Sequence, residues 1–314
     1  MQLIENSKIK RTATIGFFDG VHLGHRFVIE QLSTIAGQTN TSSLIITFDK
    51  HPRQVLHADF QPKLLTILPE KLELLEKTGV DACTILNFTP EMAKLTACEF
   101  MSQVLKKQYN ISKLLVGYDH RFGNNRQENF EDYVQYGNML GIEIVQLDCF
   151  NTAEANSISS SEIRRMLENG QIERANSLLG YNYFFSGRVI DGFKVGRKIG
   201  FPTANLQIEN PEKQIPASGV YAVKIYFDGK EYTGMLNIGS RPTLENGNNI
   251  SIEVHIINFD NVIYDQNLRV EFLRKIRNEK KFDTIQDLTH QLEQDKQAAL
   301  IFGNQKSCCM SLRG

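Results

Sequence analysis

Charge of one sign, cysteine pairing signals and long apolar runs are all missing from this chain, and each absence excludes something. Lys and Arg number 35 against 36 Asp and Glu, a net charge of −1. Without an excess of either sign there is no general attraction for nucleic acid or an anionic membrane, so any basic function has to be local. The five cysteines are scattered (Cys83, Cys98, Cys149) or crowded at the tail (Cys308, Cys309), with no Cys-x-x-Cys spacing. That pattern suits reduced thiols and speaks against a disulfide framework or a zinc site. No apolar run approaches the length of a membrane span, and Met1 to Lys10 lacks the apolar core of a signal peptide. The expectation is a cytoplasmic protein with neither nucleic acid nor membrane as partner. What is present is ordinary for a globular chain, 41% hydrophobic and 23% charged residues over a length of 314 that suits two domains.

The two halves carry different patterns. In the first, short apolar β-branched runs (Ser43 to Phe48, Val80 to Leu86, Lys113 to Gly117, Ile142 to Leu147) alternate with helical stretches. Pro69 to Lys77 reads as a helix with Leu72 and Leu75 on one side and Gly79 as its stop. Thr89-Pro90-Glu91 caps a long amphipathic helix running through Met92, Leu95, Val104 and Leu105. Strands separated by helices predict a mostly parallel sheet, with ligands at the strands' carboxyl ends. From Phe184 to Phe272 the strands lengthen and the turns tighten. Asp228-Gly229 is a hairpin signal, and Ile250 to Phe259 alternates. A small antiparallel barrel is predicted there, closed by a helix after Thr284 with Ile285, Leu288 and Leu292 on its buried side. The boundary is placed near Tyr181 to Ser186, giving domains 1–182 and 183–314.

The densest chemistry lies in Thr14-Ile15-Gly16-Phe17-Phe18-Asp19-Gly20-Val21-His22-Leu23-Gly24-His25. A short strand runs through a glycine turn into a helix whose apolar face is Val28, Ile29, Leu32 and Ile35. Such a turn lets backbone amides approach phosphate at a positive helix end. Two imidazoles beside it can donate to oxygens that gain charge as a pyrophosphate departs. Glycine also serves ordinary strand-to-helix turns, and a His-x-x-His pair is half a metal site, although no Glu follows as in His-Glu-x-x-His. Three further segments leave strands or open helices: Thr47-Phe48-Asp49-Lys50-His51-Pro52-Arg53, Val116-Gly117-Tyr118-Asp119-His120-Arg121-Phe122-Gly123 and Ile158-Ser159-Ser160-Ser161-Glu162-Ile163-Arg164. Ser159 and Glu162 have capping-box spacing, so the last is either a well-made helix start or a phosphate site with Arg164 facing the anion.

The first segment resembles the GxFDGxHxGH signature of the nucleotidylyl transferases. The four together, in order, resemble the adenylyltransferase module of the bacterial bifunctional riboflavin kinase/FAD synthetase family. The family's TFxPHP, GxDFxFG and ISSTxIR segments depart here at Asp49-Lys50, His120, Gln127 and Ser161. The resemblance implies a Rossmann-like α/β fold in which the FMN phosphate attacks the α-phosphorus of ATP. His22 and His25 would stabilise the triphosphate and transition state, and Arg164 with Ser160 would hold the leaving phosphates. Gly16, Phe17, Asp19, Gly20, Gly24 and Ser159 would line the ATP site, and Asp119, Phe122 and Asn125 the flavin site, with Mg²⁺ bridging oxygens.

In the second half, Gly192-Phe-Lys-Val-Gly196-Arg-Lys-Ile-Gly200-Phe201-Pro202-Thr203-Ala204-Asn205 can bring amides onto phosphates, with Lys198 as a cation. It lacks the Gly-Lys-Ser/Thr ending of a P-loop. Thr203 and Asn205 are hard oxygen donors suited to Mg²⁺, unless the segment is simply a strand-entry turn stiffened by Pro202. It resembles the GxxxGFPTAN motif of riboflavin kinases. The likeness continues through Gly219-Val220-Tyr221, Asn237-Ile238-Gly239, Arg241-Pro242-Thr243, Ile252-Glu253-Val254-His255 and Leu268 to Arg277, and departs at Tyr264-Asp265. It implies that Glu253 accepts the proton of the riboflavin hydroxyl, although alternation also makes Glu253 a plain outward residue of its strand. Arg277 and Phe282 would contact flavin.

The resulting expectation is an α/β nucleotidylyl transferase domain followed by an all-β riboflavin kinase-like barrel with a C-terminal helix. One chain phosphorylates riboflavin to FMN and adenylylates FMN to FAD, using ATP as co-substrate with Mg²⁺ and no tightly bound cofactor. Its partners are riboflavin, FMN, FAD and ATP, and self-association stays open. The alternatives are a kinase with weakened or lost adenylyltransferase, given His120 and Gln127, and a flavin- or nucleotide-binding regulator without turnover.

Overall fold

The structure, a computed structural model, describes residues 9–56, 62–117, 121–124, 128–148, 150, 158–192, 196–241 and 249–305. Asp119, His120, Asn125, Gln127, Pro242-Thr243, Cys149 and the Cys308-Cys309 tail lie outside the described residues. The chain divides into two compact units, Met1–Ser160 and Ser161–Gly314.

The first unit holds strands β1 (Arg11–Ile15), β2 (Ser42–Phe48), β3 (Ala82–Leu86), β4 (Ile111–Val116) and β5 (Glu143–Gln146). They form one parallel sheet in the order β3-β2-β1-β4-β5. Strand β1 is buried along its whole length, as a central parallel strand covered on both faces must be. Helices α1 (Leu23–Gln38), α2 (Pro52–Leu56), α3 (Leu68–Glu76), α4 (Pro90–Ala93), α5 (Ala97–Phe100) and α6 (Phe130–Leu140) connect the strands. After β1 the chain builds outward to β3 and then returns to the other side of β1 as β4. This reversal opens a crevice beyond the carboxyl ends of β1 and β4, where the loops carrying the first and third motifs begin.

The long helix expected from Met92 to Leu105 is broken. Thr89 caps α4 as read, its hydroxyl accepting from the Met92 amide at 3.2 Å. A second cap then intervenes at Thr96, whose hydroxyl accepts from the Glu99 amide (3.2 Å) while Glu99 accepts from the Thr96 amide (2.9 Å). The chain continues through α5 into a π-helical stretch, Met101–Gln108. The break exposes the carbonyls of Lys94 and Leu95, which accept from the Asn124 side chain (3.2 Å) and amide (3.0 Å) and so anchor the loop after β4.

In the second unit, α7 (Ser160–Glu168, beginning at the division) and α8 (Ile172–Leu179) precede six strands. These are β6 (Phe184–Ile190), β7 (Ala204–Gln207), β8 (Gly219–Phe227), β9 (Lys230–Arg241), β10 (Asn249–Ile256) and β11 (Asn267–Arg277). They close into an antiparallel barrel in the order β10-β7-β6-β11-β8-β9. Helix α8 docks on it through Asn176, which donates to the Phe272 carbonyl (2.9 Å) and accepts from the Tyr183 amide (2.7 Å). The β8–β9 hairpin turns at Asp228 (φ 49°) and Gly229 (φ 69°), the left-handed pair that a two-residue hairpin needs. Helix α9 (Ile285–Gly303) starts at Thr284, whose hydroxyl accepts from the Asp287 amide at 3.1 Å. Its barrel-facing stripe is Leu288, Leu292, Asp295 and Ala299. Ile285, expected on that side, is 65% exposed because it stands at the open end of the stripe.

Candidate functional site

In the first unit the chain leaves β1 through Gly16, whose amide donates to the Ile46 carbonyl at 3.0 Å. The turn that follows places Phe18 (φ 54°), Gly20 (φ 80°) and Val21 (φ 38°) in left-handed geometry, two of them side-chain-bearing residues that hold it at a cost. Asp19 secures it from below. Its buried carboxylate accepts from the amides of Leu65 (3.2 Å) and Thr66 (3.0 Å), while the Gly20 amide donates to the Thr66 hydroxyl (2.9 Å). Both groups are thus engaged with the chain before α3.

The turn delivers His22 to the N-cap of α1, 4% exposed, where its Nδ1 accepts from the His25 amide at 3.3 Å. Burial pushes the His22 imidazole down to about 3, so it is neutral at pH 7. With Nδ1 accepting, the proton sits on Nε2, which is a donor. The His22 and His25 rings stack, centroids 3.6 Å apart, and Gly24 leaves the room they need, since a Cβ there would stand 3.3 Å from the His22 ring. By helix geometry the amides of Leu23 and Gly24 have no intrahelical acceptor, which suits an anion at this end. Ser160, the last residue of this unit, joins the same turn, its Oγ donating to the Asp19 carbonyl at 2.9 Å. Ser159 is exposed beside it. Arg164 falls in the second unit, its guanidinium 3.0 Å from Ser161 Oγ.

Phe122 stacks on Tyr133 (centroids 4.3 Å, planes 8° apart), and the Tyr133 hydroxyl bonds both its amide and its carbonyl. One residue missed from sequence joins the site's two main loops. Lys71, on α3, is 1% exposed, and its Nζ donates to the carbonyls of Phe17 (3.0 Å) and Phe48 (2.9 Å). Burial lowers it to about 8, against the pull of Asp19, Cys83 and Asp49.

In the second unit, strand register assembles the site. Glu253 of β10 pairs with Asn205 of β7 on one side and Asn237 of β9 on the other; Asn237 pairs with Val220 of β8, and Val220 with Arg277 of β11. Cross-strand partners share a face, so these residues form a row across the barrel wall. A cavity of about 280 Å³ lies over Glu253, Asn237, Val220 and Arg277 of this row, lined also by Thr203, Phe282, Leu288 and Leu292. Thr203 Oγ1 donates to Glu253 Oε2 at 3.3 Å. His255, two residues from Glu253 and therefore on its face, has Nδ1 2.8 Å from the Pro202 carbonyl and is held below its ordinary value chiefly by burial. Asn237 and His255 lie within the motif segments without a role implied there; the period-2 rule applied from Glu253 points to His255, whereas Asn237 emerges only from register.

The loop before Thr203 makes a tight 3₁₀ turn, Gly196–Ile199, that includes Lys198. The Phe201 amide donates to the Gly196 carbonyl at 2.9 Å, and a Cβ on Gly196 would stand 2.2 Å from the Phe201 carbonyl oxygen. Gly200 (φ 84°) completes it. Arg277 is gripped by α9: its Nε lies 3.0 Å from both oxygens of Asp295 and its Nη2 2.8 Å from Oδ2, with the Asp295 side chain 1% exposed. The Phe282 ring centroid is 5.7 Å from the Arg277 guanidinium. Among the described residues no cluster of three or more His, Cys, Asp or Glu could hold a metal ion. The donors gathered near Glu253 are the hydroxyl, amide and carboxylate oxygens that Mg²⁺ prefers when substrate phosphates complete its shell.

Family models match both units, FAD synthetase over residues 4–162 and riboflavin kinase over residues 179–302. The bifunctional riboflavin kinase/FMN adenylyltransferase of Listeria monocytogenes is 38% identical over 299 residues, covering 95% of this chain and 94% of its own. The chain belongs to the bifunctional riboflavin kinase/FMN adenylyltransferase family. The Haemophilus influenzae member is 39% identical, covering 93% of this chain and 94% of its own. A solved structure from Streptococcus pneumoniae, named as a macrolide-efflux protein, has a TM-score of 0.87 at 28% identity and covers 96% of each chain. Among the described residues no helix is long and apolar enough to cross a membrane. The chain therefore carries an FAD synthetase domain on a parallel sheet and a riboflavin kinase domain on a closed barrel, and is an enzyme that uses ATP.

Proposed function

We propose that the barrel domain transfers the γ-phosphate of ATP to the riboflavin 5′-hydroxyl and that the parallel-sheet domain then joins the FMN phosphate to the α-phosphorus of ATP, releasing pyrophosphate. The first step is assigned to residues 183–314 and the second to 1–182. The observation that carries the reading is the Thr203–Glu253 contact under the barrel cavity, in a chain whose other unit seats two histidines at a phosphate-type helix end.

Glu253 takes the proton of the attacking hydroxyl. Phe282 and the leucines of α9 supply the apolar walls that a flavin ring needs, and Arg277 a fixed cation beside it. Thr203 and Asn205 would hold Mg²⁺, which neutralises phosphate charge when bound. Gly196, Lys198 and Gly200 cradle the phosphates. In adenylyl transfer no covalent enzyme intermediate is needed, so positioning and charge neutralisation dominate. His22 and His25 donate to the triphosphate, and Ser159 presents a hydroxyl to the leaving group. Ser160 commits its own to the Asp19 carbonyl and with Asp19 holds the turn. Arg164 is assigned to the leaving group from its motif alone. Asp119 and Asn125 are assigned to the flavin side from their motif alone. A cytoplasmic setting, where ATP and Mg²⁺ are abundant, fits both steps.

The test is chromatographic. Purified chain is incubated with riboflavin, ATP and Mg²⁺, and riboflavin, FMN and FAD are separated, with His22→Ala and Glu253→Ala alongside. The expected result is FAD from the parent, FMN alone from His22→Ala and little product from Glu253→Ala. Folded parent protein that forms neither FMN nor FAD would reject the reading.

A further inference from the structure

Beyond the Ile15–Ile46 pair the β1–β2 ladder stops, and the two chains separate into the loops that carry the first unit's site. A single ammonium spans them there. Lys71 Nζ bonds the Phe17 carbonyl, in the turn leading to His22, and the Phe48 carbonyl, at the mouth of the segment leading to His51. It also lies 4.1 Å from the centre of the Phe17 ring, which meets the His51 ring edge-on at 4.9 Å. Thr47 Oγ1 adds a second hydrogen bond to the Phe17 carbonyl at 3.2 Å.

A buried cation is an expensive way to fill this space. An unbranched apolar side chain of similar length avoids the desolvation cost of the ammonium, although it leaves the two carbonyls with one donor fewer. What the ammonium adds is geometry, two carbonyls on different loops held to one point. We propose that Lys71 is a positioning residue for adenylyl transfer, fixing the His22 turn and the His51 turn at the spacing the reaction requires. It touches no reacting atom; its effect passes through the backbone of Phe17 and Phe48. The proposal rests on the reading of the first unit as the adenylyltransferase.

The test uses the full chain, with adenylylation of supplied FMN and phosphorylation of riboflavin measured on the same preparations. Lys71→Met is expected to lower kcat for FAD formation by about a hundredfold, the scale of an ångström-sized misplacement, with little change in the KM for ATP. Riboflavin phosphorylation stays at its parental value, and the thermal transition of the folded variant falls only by what the lost buried hydrogen bonds cost. Lys71→Arg, which restores a cation with several donors, recovers part of the rate. Thr47→Val keeps the shape and removes one of the two bonds to the Phe17 carbonyl, so it gives a smaller fall in kcat in the same direction. A parental kcat in Lys71→Met overturns the proposal, as does an equal loss of both activities or an Arg variant no better than Met. If Lys71→Met does not fold, Thr47→Val decides, and an unchanged kcat there overturns the proposal. A parent that makes no FAD from FMN defeats the functional reading itself, a result separate from FAD formation that survives Lys71→Met.

Discussion

His22 occupies two roles at once, cap of α1 and buried imidazole, and the second has a pH signature. Its folded value of about 3 lies below the ordinary 6.5 because of burial. Between those values the unfolded ring takes up a proton that the folded ring refuses, so the stability present above pH 6.5 is lost as pH falls toward 3. His22→Asn keeps a capping oxygen for the His25 amide and removes the titration. Denaturant midpoints at pH 7 and pH 5 should therefore lie closer together in this variant than in the parent. Gly196 makes a second prediction at this scale. A Cβ there meets a backbone oxygen that cannot swing aside, so Gly196→Ala should cut riboflavin phosphorylation by about a hundredfold, on the scale of a misplaced phosphate loop, with FMN adenylylation unchanged. Glu253, Thr203 and the two histidines stand out in the sequence through the motifs that resemble the family's, since by residue type alone Glu253 is a plain outward strand residue and Thr203 part of a strand-entry turn. Lys71 was not legible. A lysine between Glu70 and Leu72 on an amphipathic helix reads as a solvated side chain, and only the folded chain shows two carbonyls from other loops converging on it.

Elements were read best where local pattern decides them. The β-branched runs became the parallel strands, and Asp228-Gly229 turned the hairpin. Apolar spacing through Met92 argues for one continuous helix, yet Thr96-x-x-Glu99 is itself a helix-start signal that the sequence displays. Thr96→Ala should cost about 1 kcal/mol by loss of the cap, read from urea unfolding of the first unit. The row from Asn205 to Arg277 belongs to a different class of information. Register between strands tens of residues apart is set by burial across the whole barrel, and no local pattern encodes it. Helix α9 is fastened to that row by Asp295. Asp295→Ala should destabilise the second unit by about 3 kcal/mol, since it strips the partner from a half-buried guanidinium, and the loss is measurable as a lower urea midpoint.

For the whole molecule, two units with separate chemistries predict complementation. Chains carrying His22→Ala mixed with chains carrying Glu253→Ala should form FAD from riboflavin, because one releases the FMN that the other consumes. A mixture that stops at FMN would show that the product of the first step does not reach a second chain. The order of elements along the chain has a further consequence, for biosynthesis. All five strands of the parallel sheet have been translated by Gln146, whereas β6 must wait for β11, which begins at Asn267, before the barrel can close. During that interval Phe184 and Phe185, buried in the finished barrel, have no β11 to cover them. A ribosome that stalls between Gly219 and Asn267 would hold out an open, sticky sheet, so the second half of this chain is the part that most needs a chaperone's cover.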